Sequence, residues 1–166
     1  MKIQVVSSVG TGKTLLSSFD KALHNAGVMN YNLITLSSVI PPNCQIEIID
    51  AYHTPEEEWG HKLYVVKAEE RSDQPGQSIA CGVGWYMYEG EKGVFVEHEL
   101  VGKAGQTAAE VEADVKNLII NSLSDLCLHR GQPFDAAKVG THLSSATAGD
   151  EPTTVLTLAI YQSQGW

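Results

Sequence analysis

The sequence is poor in cysteine, and it has no apolar run that approaches the roughly 20 residues of a membrane-spanning helix. Its three cysteines, Cys44, Cys81 and Cys127, are widely spaced, and none belongs to a C-x-x-C pair. An odd and sparse set of this kind argues for reduced thiols. Residues 1–8 also lack the apolar core of a signal peptide. These absences predict a cytoplasmic protein with no membrane partner.

Basic residues are scarce as well. The chain has 11 lysines and arginines against 20 aspartates and glutamates, which gives a net charge of -9 at pH 7. A nucleic-acid-binding protein would present a basic face, so we expect no nucleic-acid partner. An acidic surface suits a cationic ligand instead. With 166 residues, of which 43% are hydrophobic, the chain has the size and composition of a single globular domain, residues 1–166.

The spacing of apolar residues predicts about seven strands and two helices, the helices over residues 14–26 and 106–129. The helices are far apart in the sequence and the strands between them follow one another. This order favours an α+β layered domain with antiparallel or mixed sheets over a doubly wound parallel sheet. The first helix is expected to bury Leu15, Leu16, Phe19, Leu23 and Ala26. The face predicted for the second helix comprises Ala108, Val111, Val115, Leu118, Ile119, Ser122 and Leu126.

The segment GTGKT, residues 10–14, follows a strand and precedes a helix, like the end of a P-loop that binds phosphates. The full motif needs a further glycine at the position of Ser7. Residues 46–50 could imitate the acidic strand that holds magnesium. However, a P-loop domain alternates strands and helices, and residues 46–99 contain no clear helix. A glycine turn that leads into a capped helix is the simpler interpretation.

Residues 51–61 form a polar loop that contains His53, Glu56, Glu57, Glu58 and His61. Imidazole and carboxylate groups can bind metal ions. The spacing of these residues matches no specific ligand pattern, so we expect a solvated acidic loop and no metal cofactor.

A serine pair, Ser37-Ser38, lies within the stretch NLITLSSVIPP at residues 32–42. Apolar residues alternate up to the pair, as in a buried strand, and the two prolines prevent the strand from continuing. Such a break can hold a strained peptide. The Ser38 hydroxyl could then attack the carbonyl of Ser37. This N-to-O acyl shift begins backbone cleavage and can turn Ser38 into a pyruvoyl group, provided that a hydrogen-bond donor stabilises the oxyanion.

Four segments together resemble the pyruvoyl-dependent arginine decarboxylase family in their order and spacing. They are GTGKT at residues 10–14, FDKALHNAG at 19–27, NLITLSSVIPP at 32–42 and GVFVEH at 93–98. The resemblance implies a four-layer αββα sandwich that cleaves itself into a β chain, residues 1–37, and an α chain, residues 38–166. Ser37 would be the new C-terminus and Ser38 the precursor of a covalent pyruvoyl group. No pyridoxal phosphate or metal is implied.

The same resemblance assigns roles to individual residues. Asn32 matches an asparagine that assists processing, and Glu97 matches the proton donor that acts after carbon dioxide leaves. Asp20 matches the acid that receives the substrate guanidinium, and Leu23 matches a substrate-binding position. The implied reaction converts L-arginine to agmatine and carbon dioxide through a Schiff base on the pyruvoyl group. The implied assembly is a homotrimer, or a dimer of trimers, with active sites between subunits.

Three alternatives stay open at the level of the sequence. Asp20 would also accept a cationic ammonium group, so the substrate could be another amino acid. The chain could be a homologue that folds and assembles but never cleaves itself and is no enzyme. It could also be a nucleotide-binding protein that uses residues 10–14. For an arginine decarboxylase, the expected role is polyamine synthesis or proton consumption during acid stress.

Overall fold

The computed structural model describes residues 1–89 and 92–166, which form nine strands and two α-helices. The strands are β1 Lys2–Thr11, β2 Asn32–Thr35, β3 Val39–Ile40, β4 Gln45–Ile48, β5 Lys62–Ser72, β6 Ser78–Met87, β7 Gly93–Val101, β8 Gly140–Thr147 and β9 Thr153–Gln164. The helices are α1 Leu15–Ala26 and α2 Ala108–His129, with single 3-10 turns at Glu56–Glu58 and Ala136–Lys138. Both α-helices begin and end close to the predicted residues.

The strands form two sheets, with the orders β2-β5-β9-β1-β4 and β3-β7-β6-β8. The five-stranded sheet is mixed, because β2 and β4 run parallel to their neighbours while β9 runs antiparallel to both of its own. The four-stranded sheet is antiparallel. One apolar core fills the space between the sheets, and each outer face packs against one helix. The layers are therefore α1, five-stranded sheet, four-stranded sheet and α2, which confirms the expected αββα sandwich.

Helix α1 lies very close to strand β1. A Cβ atom added to Gly10 would lie 2.3 Å from the backbone nitrogen of Ala22 and 2.3 Å from the backbone oxygen of Ser18. Because the backbones approach so closely, the helix buries small residues, and Ser18 and Ala22 are fully buried. The predicted buried face is wrong in part, since Leu15 is 38% exposed and Leu16 is 71% exposed.

Helix α2 covers the outer face of the four-stranded sheet. Its buried residues are Val111, Val115, Ile119, Leu123 and Cys127. In the second half of the helix, the buried residues are Leu123 and Cys127, whereas the sequence pattern predicts that Ser122 and Leu126 are buried there. These two predicted residues lie half-buried at the border of the stripe. Within residues 1–89 and 92–166, no helix is long and apolar enough to cross a membrane.

Strand β2 lies at the edge of the five-stranded sheet, and three of its four residues are exposed. The expectation of a buried strand before the serine pair is therefore wrong. The alternation has a different cause, since Leu33 packs against the core under α1 while its neighbours face outward. After Thr35 the chain crosses to the other sheet and enters β3. The serine pair lies in this crossing.

Candidate active site

Ser38 adopts a backbone conformation that serine rarely takes. Its φ is 69°, and Asn43 is the only other non-glycine residue with a positive φ among those described. A left-handed conformation costs of order 1 kcal/mol, so surrounding contacts must hold it. One such contact is the backbone N–H of Phe95, which donates to the carbonyl oxygen of Ser38 at 2.7 Å. The strained break that the sequence predicts therefore lies at Ser38.

The hydroxyl of Ser38 points at the carboxylate of Glu97. Its Oγ lies 3.1 Å from Oε1 and 2.8 Å from Oε2 of Glu97 and donates to the carboxylate. Alternation along β7 places Glu97 on the same face as Phe95, which is buried between the sheets. Both members of the pair are half-buried. The fold thus joins two distant parts of the chain in a partly shielded contact.

A shallow, open cavity of about 320 Å³ contains both groups. Among the described residues, β3 pairs with β7 at Gly93 and Val94 alone, and Phe95 bonds Ser38, so no described strand covers this edge of β7 beyond Phe95. A larger hollow of about 720 Å³ lies between the N-terminus and Tyr88 and shares no lining residue with the first. Besides Ser38 and Glu97, the smaller cavity is lined by Phe95, Val96, His98, Ser122 and Leu126.

His98 and Ser122 form a second hydrogen-bonded pair in the cavity wall. His98 Nε2 lies 2.8 Å from Ser122 Oγ. Strand alternation turns His98 toward α2, on the side opposite to Glu97, but the uncovered strand edge brings both side chains into one cavity. Burial lowers the pKa of His98, and the Glu97 carboxylate partly opposes this effect. The imidazole is therefore neutral at neutral pH.

Helix α1 places Asp20 and Leu23 away from the cavity. The helix packs on the face of the five-stranded sheet that points away from the four-stranded sheet. Asp20 is exposed, and Leu23 is packed in the core between helix and sheet. No hydrogen bond or ion pair of the described residues joins Asp20 to Ser38 or Glu97. A substrate-binding role for Asp20 and Leu23 stays a prediction.

Asn32 lies at the end of β2 opposite to Ser38. Its side-chain amide donates to the carbonyl oxygen of Gly60 at 2.7 Å, and its backbone N–H donates to that of His61 at 2.8 Å. The side chain is thus engaged away from the cavity. Ser37 is exposed beside Ser38. The processing role of Asn32 and the cleavage at Ser37 also stay predictions.

The GTGKT segment leads into a capped helix, as the simpler interpretation predicts, but Gly10 and Thr11 still belong to strand β1, so only residues 12–14 connect the strand to the helix. The backbone N–H of Ser17 donates to Thr14 Oγ1 at 3.0 Å, and that of Thr14 donates to Ser17 Oγ at 3.0 Å. Strand β1 pairs parallel with β4 but antiparallel with β9. This mixed pairing differs from the parallel sheet that a P-loop domain requires.

The acidic loop forms a short exposed turn. The hydroxyl of Tyr31 donates to Glu58, and this hydrogen bond lowers the pKa of the Glu58 carboxyl. In the part of the chain that the structure describes, no group of three or more His, Cys, Asp or Glu residues could hold a metal ion.

The sequence patterns assign no functional role to His98 or Ser122, although each residue carries a signal. His98 directly follows Glu97, at the end of the last segment that resembles the family. Ser122 is the only hydroxyl residue on the face predicted for α2. A serine on a half-buried face usually has a partner, and here the partner is His98. The uncovered edge of β7, which joins the two faces of the strand, has no signature in the sequence.

The contact between Ser38 and Glu97 suits acid–base chemistry at the serine. A carboxylate within hydrogen-bond reach can accept the hydroxyl proton when Oγ attacks a carbonyl carbon. The carboxyl group formed in this way can later give a proton to another centre in the cavity. The N–H of Phe95 bonds the carbonyl of Ser38 rather than that of Ser37. It therefore orients the serine and does not stabilise the oxyanion of the shift.

Comparison with known proteins gives one consistent result. The family model described as pyruvoyl-dependent arginine decarboxylase (PvlArgDC) matches residues 2–165. A curated pyruvoyl-dependent arginine decarboxylase of Thermoplasma volcanium is 28% identical over 165 residues, which cover 92% of this chain and 90% of that protein.

Two shorter matches are closer in identity. The pyruvoyl-dependent arginine decarboxylase of Methanococcoides burtonii is 33% identical over 116 residues, or 69% of this chain and 64% of the relative. That of Pyrococcus horikoshii is 36% identical over 111 residues, or 66% of each. In both, the matched stretch spans just under two thirds of the relative's length.

Proposed function

Since this chain belongs to the pyruvoyl-dependent arginine decarboxylase family, we propose that it cleaves itself and then decarboxylates L-arginine to agmatine and carbon dioxide. The observation that carries the proposal is the hydrogen bond from the Ser38 hydroxyl to Glu97, at a left-handed serine in an open cavity. Cleavage between Ser37 and Ser38 would give a β chain, residues 1–37, and an α chain, residues 38–166. The intact chain is then a zymogen.

Processing begins when Glu97 accepts the hydroxyl proton of Ser38 and Oγ attacks the carbonyl carbon of Ser37. The peptide bond between the two serines breaks and an ester forms, which leaves the Ser38 nitrogen as an amine. Loss of the Ser38 α-proton then breaks the Cβ–Oγ bond and releases the Ser37 carboxylate. Water adds to the resulting dehydroalanine, and the nitrogen leaves as ammonia. Relief of the left-handed φ favours the first step.

The residues around Ser38 fit a pyruvoyl group at this position. The N–H of Phe95 would continue to hold the carbonyl oxygen of residue 38, and Glu97 would stand beside the group. The pyruvoyl group supplies an electrophilic carbonyl that captures the substrate α-amine and accepts the electrons released with carbon dioxide. Glu97 then donates a proton to the substrate α-carbon, and general acid catalysis of this kind typically contributes about 10²–10⁴-fold.

An active site shared between subunits would supply Asp20 and Asn32, which one chain keeps away from the cavity, whereas Leu23 stays packed between α1 and the sheet. The edge next to Ser38 is open to a second copy, because β2 is an edge strand and β7 is uncovered beyond β3. Ile34, 38% exposed on β2, adds apolar surface to this edge. A carboxylate such as Asp20 can bind a guanidinium through two parallel hydrogen bonds. The proposed assembly is a homotrimer, or a dimer of trimers.

The proposed location of the protein is the cytoplasm, in keeping with its sparse cysteines. Its reaction would serve polyamine synthesis, which uses the amine product, or defence against acid stress, which uses the proton consumption. Both roles depend on the same chemistry at residue 38.

Intact-mass measurement under denaturing conditions tests self-processing. We expect two fragments, residues 1–37 and 38–166. The mass of the larger fragment should be lower, by one ammonia, than that of the same fragment with an unmodified N-terminal serine. A single unmodified species of 18.0 kDa in fresh and aged samples would contradict the proposal and favour a non-enzymatic homologue. Ser38→Ala should stay one chain. Ser37→Ala keeps the nucleophile and should still cleave.

Agmatine formation from L-arginine tests the activity. Other cationic amino acids, assayed in parallel, decide the substrate. Decarboxylation retained by Ser38→Ala would exclude a pyruvoyl group at this position. Tight magnesium-dependent nucleotide binding that is lost in Lys13→Ala would instead support the nucleotide-binding alternative.

A further inference from the structure

We propose that His98 and Ser122 bind the α-carboxylate of the amino-acid substrate, an inference that rests on the proposed function. The two side chains form a hydrogen-bonded pair in the wall of the cavity that holds Ser38 and Glu97. They would therefore orient the bond that breaks when carbon dioxide leaves.

The place of the α-carboxylate follows from the place of the α-amine. If residue 38 captures the α-amine, the carboxylate carbon lies two covalent bonds from that nitrogen, roughly 2.5 Å away. The carboxylate must then lie in the same cavity as residue 38, whatever direction the rest of the substrate takes.

His98 and Ser122 are the neutral hydrogen-bonding side chains in the cavity wall besides Ser38, among the described lining residues. The other lining residues are apolar, apart from Glu97. The pair keeps one proton to donate in either tautomer. If Ser122 donates to Nε2, then Nδ1 carries a proton; if Nε2 donates to Ser122, the hydroxyl proton is free.

The uncovered edge of β7 adds a backbone donor. The N–H of Phe95 points away from β6, since it donates to Ser38. N–H groups two residues apart point to the same edge of a strand, so that of Glu97 also faces the open edge. Strand β3 does not extend to this position. A carboxylate here would meet donors from the backbone and from the side-chain pair.

Neutral donors suit a carboxylate that must leave as carbon dioxide. A cation would stabilise the ionised carboxylate before the reaction and lose that contact in the transition state, which raises the barrier. Burial lowers the pKa of His98, so its imidazole carries no charge at neutral pH. The pair can thus orient the carboxylate without holding it too strongly.

The comparison of arginine with agmatine tests this inference, because agmatine differs only in lacking the carboxylate. Processed protein is first reduced with sodium borohydride, which converts the pyruvoyl ketone to an alcohol and stops turnover. Calorimetry then gives the affinity for each ligand. We expect Ser122→Ala to weaken arginine binding about tenfold and to leave agmatine binding unchanged. Ser124→Ala, half-buried on the same helix but outside the cavity, is the matched control and should bind both normally.

Two histidine variants make the test independent of any single substitution. His98→Leu should show the same selective loss, and His98→Gln, which keeps a donor, should recover part of it. Unchanged arginine binding in Ser122→Ala and His98→Leu would overturn the inference, and so would an equal loss for both ligands. If the unaltered reduced protein binds neither ligand, the proposed function fails together with the inference. If it binds both, only the carboxylate assignment is in question.

Discussion

The two helical layers of the sandwich contribute to the site in different ways. Helix α2 covers the sheet that carries Glu97, and its Ser122 reaches the cavity wall. Helix α1 lies on the far side of the other sheet, and its exposed Asp20 has no hydrogen bond to Ser38 or Glu97 among the described residues. The groups proposed to break bonds therefore meet within one chain, whereas the group proposed to bind the guanidinium does not.

This difference separates maturation from substrate recognition. The proposed maturation uses Ser38, Glu97 and a strained backbone, all of which one chain supplies. The proposed recognition of arginine uses the carboxylate of Asp20, which a single chain keeps away from the cavity. We therefore expect substitutions on the α2 side to change cleavage and chemistry, and substitutions on the α1 side to change substrate choice alone.

Glu97→Gln should have the largest effect, because the amide can neither accept the Ser38 proton nor donate one to the substrate. We expect slower self-cleavage and a fall of about 10²–10⁴-fold in agmatine formation per cleaved chain. Mass spectrometry over time follows the cleavage, and product assays follow the turnover.

Glu99→Gln is the matched control for this substitution. Glu99 lies on the same face of β7, and burial together with the carboxylates of Glu70 and Glu97 raises its pKa. It has no hydrogen bond to Ser38 among the described residues, so we expect only a few-fold change. An equal loss in both variants would show that the acidity of this edge, rather than the contact with Ser38, drives the chemistry.

Asp20→Asn should reduce kcat/KM for arginine by about 10- to 100-fold, the value of charge-assisted hydrogen bonds to a guanidinium. Self-cleavage should proceed at the normal rate, since Asp20 lies outside the cavity. Asp125→Asn, an exposed acid on α2, is the control and should change neither quantity. Slower cleavage in Asp20→Asn would contradict the separation of the two functions.

Mixed assemblies give a sharper form of this test. If Asp20 acts on a cavity of the neighbouring subunit, refolding Asp20→Asn together with Glu97→Gln should restore part of the activity. Some sites then combine an intact Glu97 from one chain with an intact Asp20 from the other. Activity no higher than that of either variant alone would place Asp20 outside a shared site.

Sequence patterns predict the layers better than the contacts between them. Apolar spacing predicts both helices, because that signal is local. The two prolines mark the end of β3 at Ile40, whereas the chain leaves β2 after Thr35, so they do not explain the break at Ser38. The burial of Leu16 is predicted wrongly, since the close approach at Gly10 decides which face of α1 meets the sheet. The cavity could not be predicted either. It depends on how few residues of β3 pair with β7, and no local pattern encodes that length.

Glycine substitutions test the contrast between the helical layers in stability. A Cβ at Gly10 would meet backbone atoms of α1 at 2.3 Å, whereas one at Gly84 would meet the side-chain Cγ2 of Ile119 in α2 at 2.1 Å. The backbone of α1 cannot move aside. The Ile119 side chain is buried and stiff at χ1, so it can yield only in part. We expect Gly10→Ala to cost about 3 kcal/mol, and Gly84→Ala about 2 kcal/mol. The first value corresponds to a fall of roughly 10 °C in Tm by calorimetry. Gly149→Ala, with no atom within 4 Å, should change little, and equal losses at Gly10 and Gly84 would refute the contrast.

The smallest effect concerns His142, which is half-buried on β8 away from the cavity. Burial lowers the pKa of His142. This histidine therefore binds a proton near pH 6.5 in the unfolded chain, but only at a lower pH in the folded chain. His142 should therefore lower the free energy of unfolding as the pH decreases from about 7 toward 5, and its own contribution is less than about 1.4 kcal/mol per pH unit. His142→Gln should flatten this fall in urea titrations. Part of the slope should persist in this variant, because burial also lowers the pKa of His98. An unchanged slope in His142→Gln would leave His98, at the cavity wall, as the source of the pH dependence.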